Sequence, residues 1–133
     1  MIYPMFALCL LTILVGFFTV KARFASVKKG ELAAEYFELM QGEDVPREVI
    51  KTTRCLNNLF EVPILFYIAC TLYLVLEVES IAGWAIAWAF VIFRCAQAYI
   101  HITYNHTRHR MVAFGCSVLC ALLLWVNLVV VEI

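Results

Sequence analysis

Four long apolar blocks, at residues 2–20, 57–76, 81–100 and 111–131, divide the chain, with short polar segments between them. Each is close to the ~20 residues that an α-helix needs to cross the hydrocarbon core of a bilayer. A spanning segment must satisfy its own backbone groups, and a helix does so without a partner. The pattern therefore predicts an all-α membrane protein, a four-transmembrane-helix bundle built as one domain over residues 1–133. The first block lacks a basic stretch ahead of it, and its apolar run exceeds the ~7–15 residues of a typical signal peptide. It is expected to remain as a span. The link "EVES", residues 77–80, is short enough to make spans two and three an antiparallel hairpin.

Hydrophobic residues make up 65% of the chain and charged residues 15%, against about 25% charged in an average soluble domain. That balance excludes a soluble globule. The formal net charge is zero, so no basic surface points to nucleic acid. Lys21, Arg23, Lys28, Lys29, Arg47, Lys51 and Arg54 lie between spans one and two, Arg108 and Arg110 between spans three and four, and none in EVES. Basic loops stay on the cytoplasmic side. Both termini are thus expected on the far side of a bacterial inner membrane or the endoplasmic reticulum. Five of the six cysteines fall in apolar blocks, Cys55 lies at the mouth of one, and there is no C-x-x-C pair. They read as small buried hydrophobes.

Within the first loop, Glu31, Glu35 and Glu38 recur at helical spacing beside Leu32, Phe37 and Leu39. This predicts a short amphipathic helix at the membrane surface, ended by Gly42. Asp44, with Pro46 and Glu48 behind it, has the chemistry of a helix start. Span two is expected to begin there and to protrude from the membrane by two or three turns.

That span opens on "RCLNNLFEVP", residues 54–63. Arg54, Asn57, Asn58 and Glu61 follow i, i+3, i+4, i+7 and share one face of a continuous helix. Span three carries an answering stripe of Arg94, Gln97, His101, Tyr104 or Asn105, and Arg108. At 1.5 Å per residue, Glu61 and Arg94 lie ~6 Å and ~9 Å inside their blocks from the same side. Each charge alone costs ~2.5–3.5 kcal/mol at a span's centre, so the two are expected to pair. A pair uses only two groups. The surplus of Arg54, Asn57, Asn58, Gln97, His101, Tyr104, Arg108 and Arg110 points to a polar pocket for a small anionic or zwitterionic ligand.

Four spans, a basic first loop, R-x-x-x-N-x-x-E leading into helix two and an arginine within helix three resemble the MAPEG superfamily. These are membrane-associated proteins of eicosanoid and glutathione metabolism, among them microsomal glutathione transferases. The resemblance covers nearly the whole chain and is sharpest where Arg54, Asn58, Glu61 and Pro63 match the family's Arg, Asn, Glu and Pro. It implies a homotrimer with glutathione as co-substrate, bound between subunits on the cytoplasmic side. It implies that Arg54, Asn58 and Glu61 hold glutathione's carboxylates and amine, with charge added by Arg94 and by Lys21 or Arg23. The thiolate-activating arginine falls at Arg108 or Arg110. Gln97 and His101 stand where the eicosanoid branch carries aromatic hydroxyls, and Val62 where some members have tyrosine. His101 and Tyr104 are further candidates for the pocket.

The chemistry also stands on its own. A free thiol has a pKa of ~8.5, and its thiolate is the nucleophile. One arginine ~4 Å away interacts with that thiolate by ~4 kcal/mol at an effective dielectric near 20. A shift of one pKa unit needs ~1.36 kcal/mol. An arginine and a polar cradle therefore suffice for conjugation, or for thiol-dependent peroxide reduction, with an apolar electrophile drawn from the membrane lipid. The alternatives are a non-catalytic scaffold or lipid-binding protein of the same architecture and a small proton-coupled exporter. The exporter's carboxylate belongs in helix one, where this chain has none. His101, His106 and His109 have no carboxylate nearby and predict no metal site. Trp84, Trp88 and Trp125 fit an aromatic belt on the side away from the basic loops. Ala69 and Cys70, being small, make helix two the expected trimer contact.

Overall fold

The computed structural model describes residues 1–42 and 44–132. Its helices are α1 (Ile2–Lys28), α2 (Tyr36–Leu39), α3 (Arg47–Asn58), α4 (Val62–Val75), α5 (Ile81–Ile102) and α6 (Thr107–Glu132). α3 and α4 are two halves of one length, so four stretches are long and apolar enough to cross a membrane. Phe6, Ile13, Phe17, Ile92, Leu122 and Val130 are each more than half exposed. Apolar area on that scale needs a non-aqueous surrounding. The protein is an integral membrane protein with an all-helical fold.

Side-chain periodicity explains the packing. α5 buries Gly83, Ala87, Phe90, Arg94, Gln97 and His101, alternating steps of four and three that keep one seam inward. α6 supplies Ala113, Ser117, Ala121, Leu124 and Leu128 to the core, and the α5–α6 contact is the most extensive in the fold. Leu8 of α1 joins the cluster around Phe66 and Phe90, and Val15 joins Cys55 of α3 and Leu59 just beyond it. The α4–α5 link turns at Glu77, which adopts a left-handed φ of 55°. α4 then leans on α6 and meets α5 where Phe66 stacks on Phe90, ring centroids 4.3 Å apart. Ala69 and Cys70 are fully buried within the single chain. They cannot form the subunit contact expected of them.

Loop one departs from its sequence pattern in two places. The amphipathic helix shrinks to α2, four residues closed by Met40 in the left-handed region rather than by Gly42. So short a helix returns little hydrogen bonding for the cost of nucleation. α3 starts after its N-cap Pro46, not at Asp44, which has a left-handed φ of 60°. A residue before proline is pushed towards extended backbone, so Val45 cannot belong to the helix.

A polar knot ties the EVES end together. Tyr73 donates its hydroxyl proton to Asn127 Oδ1 at 2.7 Å, and Ser80 Oγ donates to the same oxygen at 2.8 Å. Ser80 also caps α5 by accepting from Gly83 N–H at 3.0 Å. A Cβ on Gly83 would meet Tyr73 Oη at 2.8 Å and Asn127 Oδ1 at 3.0 Å. Overpacking of this kind costs about 1–3 kcal/mol, more than the roughly 1 kcal/mol of helix propensity gained. Gly83→Ala should therefore lower the thermal midpoint in detergent. A midpoint at or above that of wild type would show that the knot is slack.

Candidate functional site

The site is organised by a break in span two. Pro63 has no N–H to give, and its ring would strike the carbonyl four residues back. The chain accordingly leaves the helix at Leu59 and restarts at Val62, with Glu61 at φ −91°, ψ −93°. Across the break Leu59 N–H bonds Leu56 O at 3.0 Å and Phe60 N–H bonds Asn57 O at 2.9 Å, a tight 3₁₀-like pattern. The expected continuous face from Arg54 to Glu61 is interrupted at this turn.

Arg94 does not pair with Glu61. Lys51–Glu48, at 2.8 Å, is the only ion pair among the described residues, and Glu61 is exposed. Arg94 is fully buried and bonds Gln97 Oε1, one turn on along α5. Its guanidinium lies 5.6 Å from the Phe90 ring centroid and 5.3 Å from that of Phe114, in reach of cation–π attraction. The reason lies in the α5 seam: Arg94, Gln97 and His101 fall on the inward register of Gly83 and Ala87. Arg94 Nε and Nη2 have no partner, nor do the two ring nitrogens of His101, which is 2% exposed. Cys55 and Asn58 of α3, with Leu59 just beyond it, meet Arg94, Gln97 and Ala98 of α5 around a tight crevice that leaves no room for a water molecule.

The rest of the α3 stripe faces outward. Arg54 and Asn57 line a cleft of about 460 Å³ with Arg23, Tyr36 and Thr53. Of the two loop-one candidates, Arg23 belongs here, its Nη2 3.4 Å from Thr53 Oγ1. Lys21, two residues earlier, projects into a separate cleft with Ser26, Arg47 and Thr52. Two residues apart on a helix is about 200° of rotation, so the two side chains cannot share a site.

The connection between α5 and α6 turns at Asn105, in the left-handed region with φ 49°. Arg110 donates to Asn105 Oδ1 at 2.8 Å, while Arg108 is exposed. Tyr104 Oη lies 3.1 Å from His109 Nδ1 and is exposed, away from the Arg94 crevice. Among the described residues no group of three metal-ligating side chains is assembled. Thus Asn58 joins Arg94, and Arg23 joins Arg54. Glu61, Lys21, Arg108 and Tyr104 stand apart from both groups within one chain.

Against this geometry, comparison with known families matches residues 1–130 to the MAPEG family. The chain belongs to the MAPEG family. No curated protein and no solved structure matched it. Membership makes it a membrane protein of glutathione and eicosanoid metabolism.

Two residues of this MAPEG protein escaped the sequence reading. Lys51 donates from Nζ to Ile102 O at 3.1 Å and to Thr103 O at 3.4 Å, capping the C-terminal end of α5 where a cation suits the helix dipole. Cys55 lines the Arg94 crevice. Both follow from the buried register of α3, where Val49, Lys51, Thr52 and Cys55 turn inward, a spacing visible in the sequence but masked by the polar stripe beside it.

Proposed function

We propose that the protein is a glutathione transferase or peroxidase that acts on apolar electrophiles entering from the bilayer, with glutathione bound at the broken span between subunits of a homotrimer. The observation that carries the proposal is the break itself. Non-helical backbone at membrane depth is tolerated where protein covers it or where it lines a water-filled cavity. Here the turn leaves Phe60 and Glu61 exposed on an outer face, and Arg54 and Asn57 before it are exposed as well. A second chain and a zwitterionic ligand satisfy that surface together.

The donor set fits glutathione. Its two carboxylates suit guanidinium forks, which bind such groups bidentately, and Arg54, Arg23 and Arg94 supply them. Arg94 has two unpartnered nitrogens to offer. Its amine suits a carboxylate, and Glu61 is the acid free of any ion pair at this depth. Asn58 adds an amide, and His101 adds a ring nitrogen at the base of the same α5 seam. At the mouth, Arg108 stabilises the thiolate, since Arg110 is held by Asn105. The thiolate then attacks the electrophile, and the displaced group leaves with the electron pair of the broken bond.

The test is turnover in liposomes with a simple aryl halide and a lipid hydroperoxide. The reading expects glutathione-dependent product from at least one of them. No product from either, with correctly folded protein, contradicts it.

Orientation belongs to the same proposal, because the glutathione pool is cytosolic. A cysteine at Lys28 or His106 should react with an impermeant reagent only from the cytoplasmic side, and one at Glu79 only from the opposite side. Reversed labelling would put the site on the wrong side of the membrane.

A further inference from the structure

Arg23 stands on the ridge between two depressions of unlike character. On one side is a cleft of about 460 Å³ with a mixed lining, where Thr53, Arg54 and Asn57 join Met40, Val45 and Ile50. On the other is an apolar groove of about 370 Å³, formed by Val20, Phe24, Val27, Ala34 and Phe37. Its guanidinium lies 5.7 Å from the Phe37 ring centroid, its Nε is buried without a partner, and its one side-chain hydrogen bond among the described residues is the 3.4 Å approach to Thr53. Neither Arg23 nor Arg54 has a carboxylate within ion-pair distance among the described residues.

We propose that this ridge is a binding site for one anionic phospholipid from the leaflet that meets loop one. Its phosphate sits between Arg23 and Arg54, and an acyl chain lies in the groove against Phe24 and Phe37. Two guanidinia without counter-ions call for a phosphate, which arginine forks match in shape as well as charge. A groove walled by valine and phenylalanine, opening beside them, calls for a hydrocarbon chain on the same molecule. The depth agrees: Val20 closes the apolar block of α1, and Arg23 follows within one turn, at headgroup level. A zwitterionic lipid brings no net charge to this pair, so the site should select an anionic headgroup. Arg23 and Arg54 also belong to the glutathione site proposed above. That lipid and glutathione exclude one another rests on that reading, whereas the lipid site does not.

The experiment omits glutathione, so its outcome is independent of glutathione binding. The full chain is equilibrated in vesicles of equal phosphatidylcholine and phosphatidylglycerol, and co-released lipid is counted by native mass spectrometry. A basic residue near a membrane surface contributes about 1 kcal/mol towards anionic lipid, roughly fivefold per arginine. Wild type should retain phosphatidylglycerol at least fivefold over phosphatidylcholine. Arg23→Gln should cut that preference about fivefold, and Ala34→Trp, which fills the groove, should abolish retention of both lipids. Lys21→Gln, in the separate cleft, should leave the preference intact. Equal retention of the two lipids by wild type overturns the proposal. So does a preference that survives Arg23→Gln, or one lost equally in Lys21→Gln, which would mean diffuse attraction to basic loops. Should Arg23→Gln fail to fold, Arg54→Gln carries the same expectation.

Discussion

Arg94→Met should shift stability by less than about 3 kcal/mol, while glutathione binding weakens roughly tenfold to a hundredfold. The two effects have one origin. A buried charge without an ion partner destabilises the fold, and replacing buried ionic groups by apolar ones is often neutral or favourable. Against that gain stand one lost bond to Gln97 and two cation–π contacts, worth about 0.5–2 kcal/mol each. A ligand carboxylate meeting the unpartnered nitrogens would recover a charge-assisted bond of about 1.5–3 kcal/mol, which is the factor lost in affinity. The same variant separates two geometries. If Arg94 and Glu61 were paired, losses in Glu61→Gln and Arg94→Met would be strongly non-additive. With no ion pair between them, the coupling should stay below about 1 kcal/mol. Severe destabilisation by Arg94→Met, with large coupling to Glu61, would show that the pair forms after all.

Arg108→Ala should leave the glutathione dissociation constant within about twofold and reduce turnover by up to a thousandfold. The ~4 kcal/mol between a guanidinium and a thiolate at ~4 Å appears only once the thiol ionises. Its loss therefore falls on the chemical step and spares ground-state binding. Arg54→Ala and Glu61→Gln should do the reverse, weakening binding first. Arg110→Ala, which frees Asn105 in the loop, should act mainly on stability. The readouts are the glutathione dissociation constant and the steady-state kinetics of each variant. Arg108→Ala with full turnover, and Arg110→Ala with the thousandfold loss, would transfer the role to Arg110.

The four spans are legible in the sequence because length and apolarity alone decide which helices cross a bilayer. The break at residues 59–61 was signalled by Pro63, but a proline near a helix start is compatible with an unbroken helix as well as a broken one. Arg94 was misread for a different reason. Depth along the helix axis brought it level with Glu61, but azimuth decided the contact. Counted in steps of four and three from Gly83, Arg94, Gln97 and His101 fall on the inward seam of α5. Arg54, Asn57 and Glu61 fall outside the inward series of Thr52, Cys55 and Leu59. Of the polar stripe, only Asn58 reaches across to Arg94. The assignment of Arg23 over Lys21 needed the positions of α2 and α3, which no spacing within α1 contains. The Tyr73–Asn127–Ser80 knot joins three helices far apart in sequence, so no local pattern announced it.

The central claim, that the broken span and the buried arginine form a glutathione site, is tested most directly by calorimetric titration of the wild-type protein in detergent or nanodiscs. The account expects saturable heat with a dissociation constant below about 1 mM, a binding free energy beyond about 4 kcal/mol. Absence of binding at millimolar glutathione in folded protein would contradict it, and a non-catalytic membrane scaffold of the same family would be the reading left standing.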